Sequence, residues 1–252
     1  MKKICCLIFA NIYLLSFGQG NKDKVRLSSN GGIDCFYKYD EQGRISQIQQ
    51  SDKKYYEQYT YLGDTAIVKQ YKDFSDSTLA GISLLNEKGL VDLQTNIYSK
   101  TVLIIQNKYD ANNQLLSQKV SSDEQNAQYI LINKNGNTIQ QDAMDTIYEN
   151  GKFQINKRIA KSTFSDKMNP LPNNVTGIFF KGKENKNQLI SETLEIFSSD
   201  FCEQLPCPFL QEKHQLINYK YDYVLDEKGR LKIYTSTNLN TAEKSVTKYF
   251  YY

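Results

Sequence analysis

The 252-residue sequence has no tryptophan, four prolines and a single histidine, His214. A Ser-His-Asp or Cys-His catalytic arrangement would therefore have to use His214. This residue lies in the polar stretch 211–215, and the sequence has no Gly-x-Ser-x-Gly elbow of the hydrolase type. Because polar surroundings favour an exposed loop histidine, we predict no catalytic site that depends on histidine.

Apolar runs long enough to cross a bilayer as a helix, which takes about 20 residues, are also missing. The apolar stretch 4–15 follows Lys2 and Lys3 and precedes the small or polar residues 16–20. This layout is typical of a secretory signal peptide. We predict a signal peptide at 1–18, no transmembrane span, and an exported protein that is periplasmic, outer-membrane-associated or secreted.

An excess of one charge is absent. Removing Lys2 and Lys3 from the 31 basic residues leaves 29 against 28 acidic residues, a formal charge of +1. The charges are interspersed, whereas nucleic-acid binding needs a concentrated basic surface. This balance excludes nucleic acid as a partner.

Cysteine is scarce in the predicted mature chain, which keeps Cys35, Cys202 and Cys207. Three cysteines and one distant histidine lack the paired-ligand spacing of a zinc site, so we predict no metal and no cofactor. The close spacing of Cys202 and Cys207 suggests a local disulfide, as an oxidising compartment allows. The alternative is a bond from Cys35 to either of them.

Tyrosine and phenylalanine, in contrast, are abundant, with 19 and 12 copies, and both favour strands. A pattern of strand, short turn and strand at 37–45 returns at 221–231. Weaker copies occur at 85–90, 109–115, 132–139 and 148–153. In each copy Asp or Asn can start the turn, and a following Gly or Asn can supply positive φ, so the pattern predicts hairpins.

The last copy has the clearest alternation. One face of the predicted strand holds Ile217, Tyr219, Tyr221, Tyr223 and Leu225. A period of two over nine residues indicates a strand rather than a helix. We therefore predict an all-β fold, an antiparallel meander of hairpin repeats that forms an elongated, twisted sheet.

One repeat domain is predicted over 19–252. The segment 166–174 contains two prolines and four asparagines or aspartates, a loop composition. It either divides the domain or only connects two strands.

The residues Tyr-Lys-Tyr-Asp-Glu-Gln-Gly-Arg-Ile at 37–45 resemble the YD repeats of Rhs-type cell-surface proteins. A second likeness is to uncharacterised exported proteins of Bacteroidota, and it is specific only over 166–234. It is carried by Asn169-Pro170, Asn173-Asn174-Val175-Thr176, the run 219–223 and Gly229. These resemblances imply an antiparallel sheet of hairpins and imply no reaction.

Two kinds of side chain are candidates for function. Tyr219, Tyr221 and Tyr223 would form an aromatic binding face for sugars if they met solvent, although packing within the sheet is the simpler interpretation. Carboxylate pairs such as Asp222 with Asp226 would suit a glycosidase, but Asp226 is explained by turn chemistry.

The sequence therefore favours a non-catalytic exported or cell-envelope protein with a structural or binding role. Its partner would be a glycan or another envelope protein. A carrier that holds an apolar ligand between sheet and loops is another binding role. The alternative is a hydrolase that acts on an envelope or dietary polysaccharide.

Overall fold

The computed structural model describes residues 25–30, 33–51, 55–72, 76–98, 101–170, 182–204, 207–210 and 213–251. The predicted signal peptide at 1–18 lies outside the described residues, and so does the second half of the segment 166–174 from residue 171 onward. No helix in the described ranges is long and apolar enough to cross a membrane.

The described chain forms sixteen strands, and each is paired antiparallel with its neighbours in sequence. In chain order they are β1 (Val25–Asn30), β2 (Ile33–Tyr39), β3 (Ile45–Gln50), β4 (Tyr55–Leu62), β5 (Thr65–Lys72), β6 (Asp76–Leu85), β7 (Val91–Tyr98), β8 (Thr101–Tyr109), β9 (Leu115–Ser121), β10 (Gln125–Lys134), β11 (Asn137–Glu149), β12 (Lys152–Met168), β13 (Asn187–Ser198), β14 (Gln215–Leu225), β15 (Leu231–Asn238) and β16 (Lys244–Tyr251). The predicted all-β antiparallel meander is therefore confirmed.

The sheet closes on itself as a barrel, because β1 pairs with β16 as well as with β2. Along this seam Val25 is the partner of Tyr251, and Ser29 is the partner of Lys248. The prediction of an elongated, twisted sheet is wrong, because the sheet is a closed barrel and not an open one. Closure pairs the backbone groups that the two edge strands of an open meander would expose.

Connections that follow even-numbered strands all lie at one end of the barrel, called here the turn end, because neighbouring strands are antiparallel. The other connections lie at the opposite end, called the loop end. Four similar turns at the turn end begin with Asp40, Asn86, Asp110 and Asp226. In the first, the Asp40 carboxylate accepts hydrogen bonds from the backbone N–H of Gln42 at 3.0 Å and of Arg44 at 2.8 Å. Gly43 then turns the chain with a φ of 73°.

The apolar core lies on the inner surface of the barrel wall. On β10, Ala127, Tyr129 and Leu131 are buried, while the alternate residues Gln128 and Ile130 are exposed. The three buried residues join one inner cluster with side chains from β9 and β11, namely Val120 and Ala143. A second inner cluster is centred on the buried residues Ile45 and Val91.

The described part of the β12–β13 connection follows the rim of the turn end. The Lys183 N–H donates to the Asn113 carbonyl oxygen at 2.6 Å, and the Lys186 N–H donates to the Gly136 carbonyl oxygen at 2.8 Å. Gly182 has a φ of 100°, and a Cβ there would lie 2.6 Å from the Tyr109 ring. This close approach to an inward-facing tyrosine requires glycine.

Candidate binding site on the inner wall of the barrel

The aromatic face predicted from the sequence lies on β14 and consists of Tyr219, Tyr221 and Tyr223. All three side chains are half-buried, whereas the intervening Lys220 and Asp222 are exposed. Ile217 shares the face of the tyrosines and is the partner of the buried Leu194 on β13. The tyrosines therefore face the inside of the barrel and not the outer surface.

Ring contacts join these tyrosines to a fourth, Tyr234 on β15. The Tyr219 and Tyr221 centroids are 6.4 Å apart with an interplanar angle of 23°, and those of Tyr221 and Tyr234 are 5.8 Å apart at 15°. Tyr223 and Tyr234 meet at 5.5 Å and 60°. These four residues, called here the tyrosine wall, form one aromatic surface, and offset or tilted rings of this kind attract one another.

Glu192 on β13 adjoins the tyrosine wall, since it is the ladder partner of Tyr219. The Ser162 hydroxyl donates to its carboxylate at 3.4 Å. Burial raises the pKa of Glu192, and hydrogen bonds from Ser162 and Tyr221 only partly offset that effect. No lysine or arginine in the described ranges forms an ion pair with this carboxylate.

The aromatic surface continues across the seam. The hydroxyls of Tyr37 and Ser28 share a hydrogen bond of 2.9 Å. Burial raises the pKa of Tyr37 to about 12, although the hydrogen bond to Ser28 acts against it. Burial likewise raises the pKa of Tyr249, helped by the nearby Tyr37 and Tyr251 hydroxyls. These tyrosine hydroxyls are therefore neutral at physiological pH.

A second carboxylate of the inner wall, that of Asp145, has a charge partner within the protein. On β11 and β12 the Arg158 guanidinium pairs with the Asp145 carboxylate, whose side chain is only 4% exposed. The Asn156 side-chain amide donates to the other Asp145 oxygen at 3.0 Å. Buried charges persist when they are paired and hydrogen-bonded in this way, so this pair is explained by structure alone.

On the outer surface of the same strands, charged side chains are interspersed with exposed apolar ones. Lys220 and Asp222 form an ion pair of 3.1 Å on β14, and the Lys161 ammonium is 3.7 Å from the Glu195 carboxylate on the neighbouring β13. Lys248 is exposed in the middle of β16. The two faces of the wall therefore differ, with aromatic rings inside and ionised groups outside.

The close cysteine pair is joined, since Cys202 and Cys207 form a disulfide in the β13–β14 connection. This connection packs against the start of β12: the backbones of Phe153 and Cys202 exchange hydrogen bonds of 2.9 and 2.8 Å. Cys35 is half-buried on β2 and is not part of a disulfide. The disulfide therefore closes a short loop within this loop-end connection and takes no part in the tyrosine wall.

The residues considered for hydrolysis do not converge. The His214 ring stacks on Phe197 at 4.4 Å, and its Nε2 is 3.9 Å from Glu195 on the outer surface. Within the described ranges no serine, threonine or cysteine forms a hydrogen bond with His214. Asp222 faces outward beside Lys220, while Asp226 belongs to a turn. No described group of three or more His, Cys, Asp or Glu residues could hold a metal ion.

Sequence reasoning found three of the four wall tyrosines and missed Glu192 and Tyr234. The alternation of β14 revealed its tyrosines because their spacing is local. Glu192 meets Tyr221 and Ser162 only through strand pairing, about 30 residues away in each direction. No local signal marks such a carboxylate, so only the register of β12, β13 and β14 reveals it.

No protein-family model matches the chain, and no curated protein matches it. Solved structures share its fold, and among them are two porin-like proteins. A porin-like protein from Bacteroides vulgatus ATCC 8482 has a TM-score of 0.59 and 10% identity, covering 91% of this chain and 98% of that chain. A porin-like protein from Bacteroides uniformis ATCC 8492 has a TM-score of 0.55 and 11% identity, covering 94% and 100%. At such low identity the likeness shows the fold alone, a closed antiparallel barrel.

Proposed function

We propose that this chain is an exported, non-catalytic barrel that stays in water and binds a ligand against the tyrosine wall inside it. The observation that carries the proposal is the difference between the two faces of the barrel wall. The inside has a cluster of half-buried tyrosines, whereas the outside places ionised lysines and carboxylates among exposed apolar side chains. The signal-peptide pattern at 1–18 supports export.

The outer surface argues for water and against lipid. Transmembrane barrels place apolar side chains outward and polar ones inward, and a lysine at the bilayer midplane costs about 2–4 kcal/mol. Here Lys161, Lys220 and Lys248 occupy outward-facing positions near the middle of their strands. Exposed apolar residues share this surface, but apolar side chains are common on water-facing surfaces, whereas a lysine deep in lipid is costly. We therefore favour the periplasm or the exterior over a transmembrane pore.

The inner surface argues for a ligand. A barrel of about eight strands is just filled by its own side chains, whereas about 16 strands leave space within. This barrel has sixteen strands, and the rings of the tyrosine wall are half-buried rather than enclosed. Half-exposed rings bind flat or apolar ligand faces, including those of sugars, at a low cost in side-chain entropy.

The first experiment tests where the barrel resides. Residues 19–252 are purified without detergent and mixed with phospholipid vesicles, which are then floated on a density gradient. We expect a monodisperse protein that stays at the bottom of the gradient. Flotation, or aggregation that only detergent prevents, would overturn the proposal and support a membrane pore.

The second experiment tests binding. Because the chain lacks tryptophan, its tyrosine fluorescence reports ligand contact directly. We expect quenching by a soluble oligosaccharide library or by the apolar probe anilinonaphthalene sulfonate, and a weaker response in Tyr221→Ala. Tyr148→Ala is the matched control, since Tyr148 is 46% exposed and outside the tyrosine wall. Equal responses in both variants, or none in the unaltered protein, would reject an inner binding site.

A further inference from the structure

We infer that the tyrosine wall and the Glu192 carboxylate together form a binding site for an organic cation, such as a quaternary or protonated amine. The inference rests on the proposed function, since it names the ligand class of the same inner site. Three observations carry it: the position of Glu192, the ring faces beside it, and the cation partners of tyrosines elsewhere in the barrel.

No lysine or arginine among the residues that the structure describes forms an ion pair with the Glu192 carboxylate. Asp145, also on the inner wall, is matched by the Arg158 guanidinium and the Asn156 amide. Glu192 instead has hydroxyl partners, from Ser162 and Tyr221. An ionised group that loses water on burial costs free energy unless an opposite charge compensates it. A cationic ligand would provide that charge at Glu192.

Tyrosine rings lie where such a cation would sit. Glu192 is directly opposite Tyr219 in the β13–β14 ladder, and directly opposite residues have Cβ atoms about 4.5–5.5 Å apart on one face of the sheet. Tyr221, the next inward residue on β14, hydrogen-bonds to the same carboxylate. The negative face of an aromatic ring attracts a cation within about 6 Å of its centroid. The ligand would thus meet a carboxylate and ring faces together.

The barrel already uses this chemistry at its turn end. The Arg44 guanidinium lies 3.9 Å from the Tyr61 ring centroid, and the Arg230 guanidinium lies 4.3 Å from that of Tyr251. Each arginine also pairs with an aspartate, so carboxylate, cation and ring occur together. Beside Glu192 the carboxylate and the rings are present, and no described arginine or lysine pairs with that carboxylate.

A metal ion fits this site less well. Calcium takes about six to eight oxygen ligands and magnesium about six in a strict geometry. One carboxylate with two hydroxyls provides too few oxygen ligands for either metal ion. Aromatic ring faces, in contrast, attract an organic cation. The chemistry of the site therefore selects a diffuse positive charge on an apolar body.

The test compares choline with 3,3-dimethyl-1-butanol, its uncharged carbon isostere, by calorimetric titration of residues 19–252. We expect choline to bind at least about tenfold more tightly, because a desolvated cation–ring contact and a charge pair together exceed one factor of ten. Glu192→Gln should abolish that preference. Glu195→Gln on the outer surface is the matched control and should keep it.

Tyr219→Leu is a second variant, in case Glu192→Gln does not fold as judged by circular dichroism. It should reduce choline binding while leaving the weak binding of the alcohol nearly unchanged. Equal affinity of the two probes, or an unchanged choline preference in the folded variants, would overturn the inference. If the apolar fluorescent probe still binds in a Tyr221-dependent way, the proposed inner binding site survives. If no probe binds, both fail.

Discussion

Four tyrosines perform one structural task at the turn end. Each donates its hydroxyl to the backbone carbonyl of the first residue of the preceding strand. The pairs are Tyr39 with Val25 at 2.8 Å, Tyr61 with Ile45 at 2.9 Å, Tyr109 with Val91 at 3.0 Å and Tyr251 with Leu231 at 2.7 Å. The acceptor residues are at most 1% exposed, and the ladder register shifts beside each of them. The hydroxyl therefore bonds a carbonyl next to an irregular point of the sheet.

Tyr109→Phe tests this role. Leaving a buried carbonyl without its hydroxyl partner costs about 1 kcal/mol, and the ring still packs against Gly182. We expect a lower urea midpoint with an unchanged slope m, which corresponds to an unfolding free energy lower by about 1 kcal/mol. Tyr148→Phe makes the same chemical change at an exposed site and should leave the midpoint unchanged. Equal urea midpoints in the two variants would show that the Tyr109 hydroxyl adds no more stability than an exposed hydroxyl.

The aspartates of the same turns make stability depend on pH. Burial raises the pKa of Asp226, but hydrogen bonds from the Arg230 backbone and side chain and from the Lys228 N–H together lower it below its ordinary value of 3.8. A carboxyl with a lowered pKa in the folded state stabilises the fold above its unfolded pKa. That contribution is lost as the pH falls through the folded pKa.

Asp226→Asn should therefore flatten the acid limb of the stability curve. Asn86 makes the corresponding turn with an amide oxygen that accepts from the Lys88 and Leu90 N–H groups at 3.0 and 3.1 Å, so the variant keeps its turn. We expect a smaller loss of unfolding free energy than in the unaltered protein below about pH 4. Asp222→Asn, on the outer surface, should retain the original acid limb. Parallel curves for the two variants would contradict the role of Asp226.

At the scale of elements, the sequence predicted strands and turns where the signal is local. Burial alternates along β14 as its sequence pattern predicts. Asn135 and Asn150 have positive φ in turns at which hairpins were predicted. The loop composition of 166–174 misled in part, because β12 continues to Met168. Met168 pairs with Asn187 on β13 beyond an irregular stretch of the ladder, and tertiary pairing of this kind overrides local composition.

The β13–β14 connection is an element that the disulfide stabilises. Cys202 and Cys207 are five residues apart, and closing so short a loop restricts the unfolded chain by about 2 kcal/mol. Cys202→Ser with Cys207→Ser should lower the unfolding free energy by that order, and dithiothreitol should do the same to the unaltered protein. Cys35→Ser is the control for thiol loss. Should the double variant match Cys35→Ser, the disulfide would have no stabilising role.

At the scale of the whole molecule, two features escaped the sequence for the same physical reason. Closure depends on the pairing of β1 with β16, where the side chains of Asn30 and Ser245, 215 residues apart in the sequence, form a hydrogen bond. The outer strands of an open sheet and the seam strands of a barrel have the same local patterns, so alternation cannot distinguish them. The proposed cation site at Glu192 likewise depends on three strands in register, and only its aromatic half could be predicted from β14.

The seam can be tested by a cross-link. Ser29 and Lys248 are ladder partners on β1 and β16, and paired antiparallel residues have Cα atoms about 4.5–5.5 Å apart, within the range of a disulfide. In a Cys35→Ser background, Ser29→Cys with Lys248→Cys should oxidise within one chain, as shown by tryptic mass spectrometry. Ser29→Cys with Lys119→Cys places the second thiol on β9, far around the barrel, and should give no such bond. An open sheet would hold β1 and β16 at opposite edges, so absence of the first cross-link under conditions that keep the chain folded would disprove closure in solution.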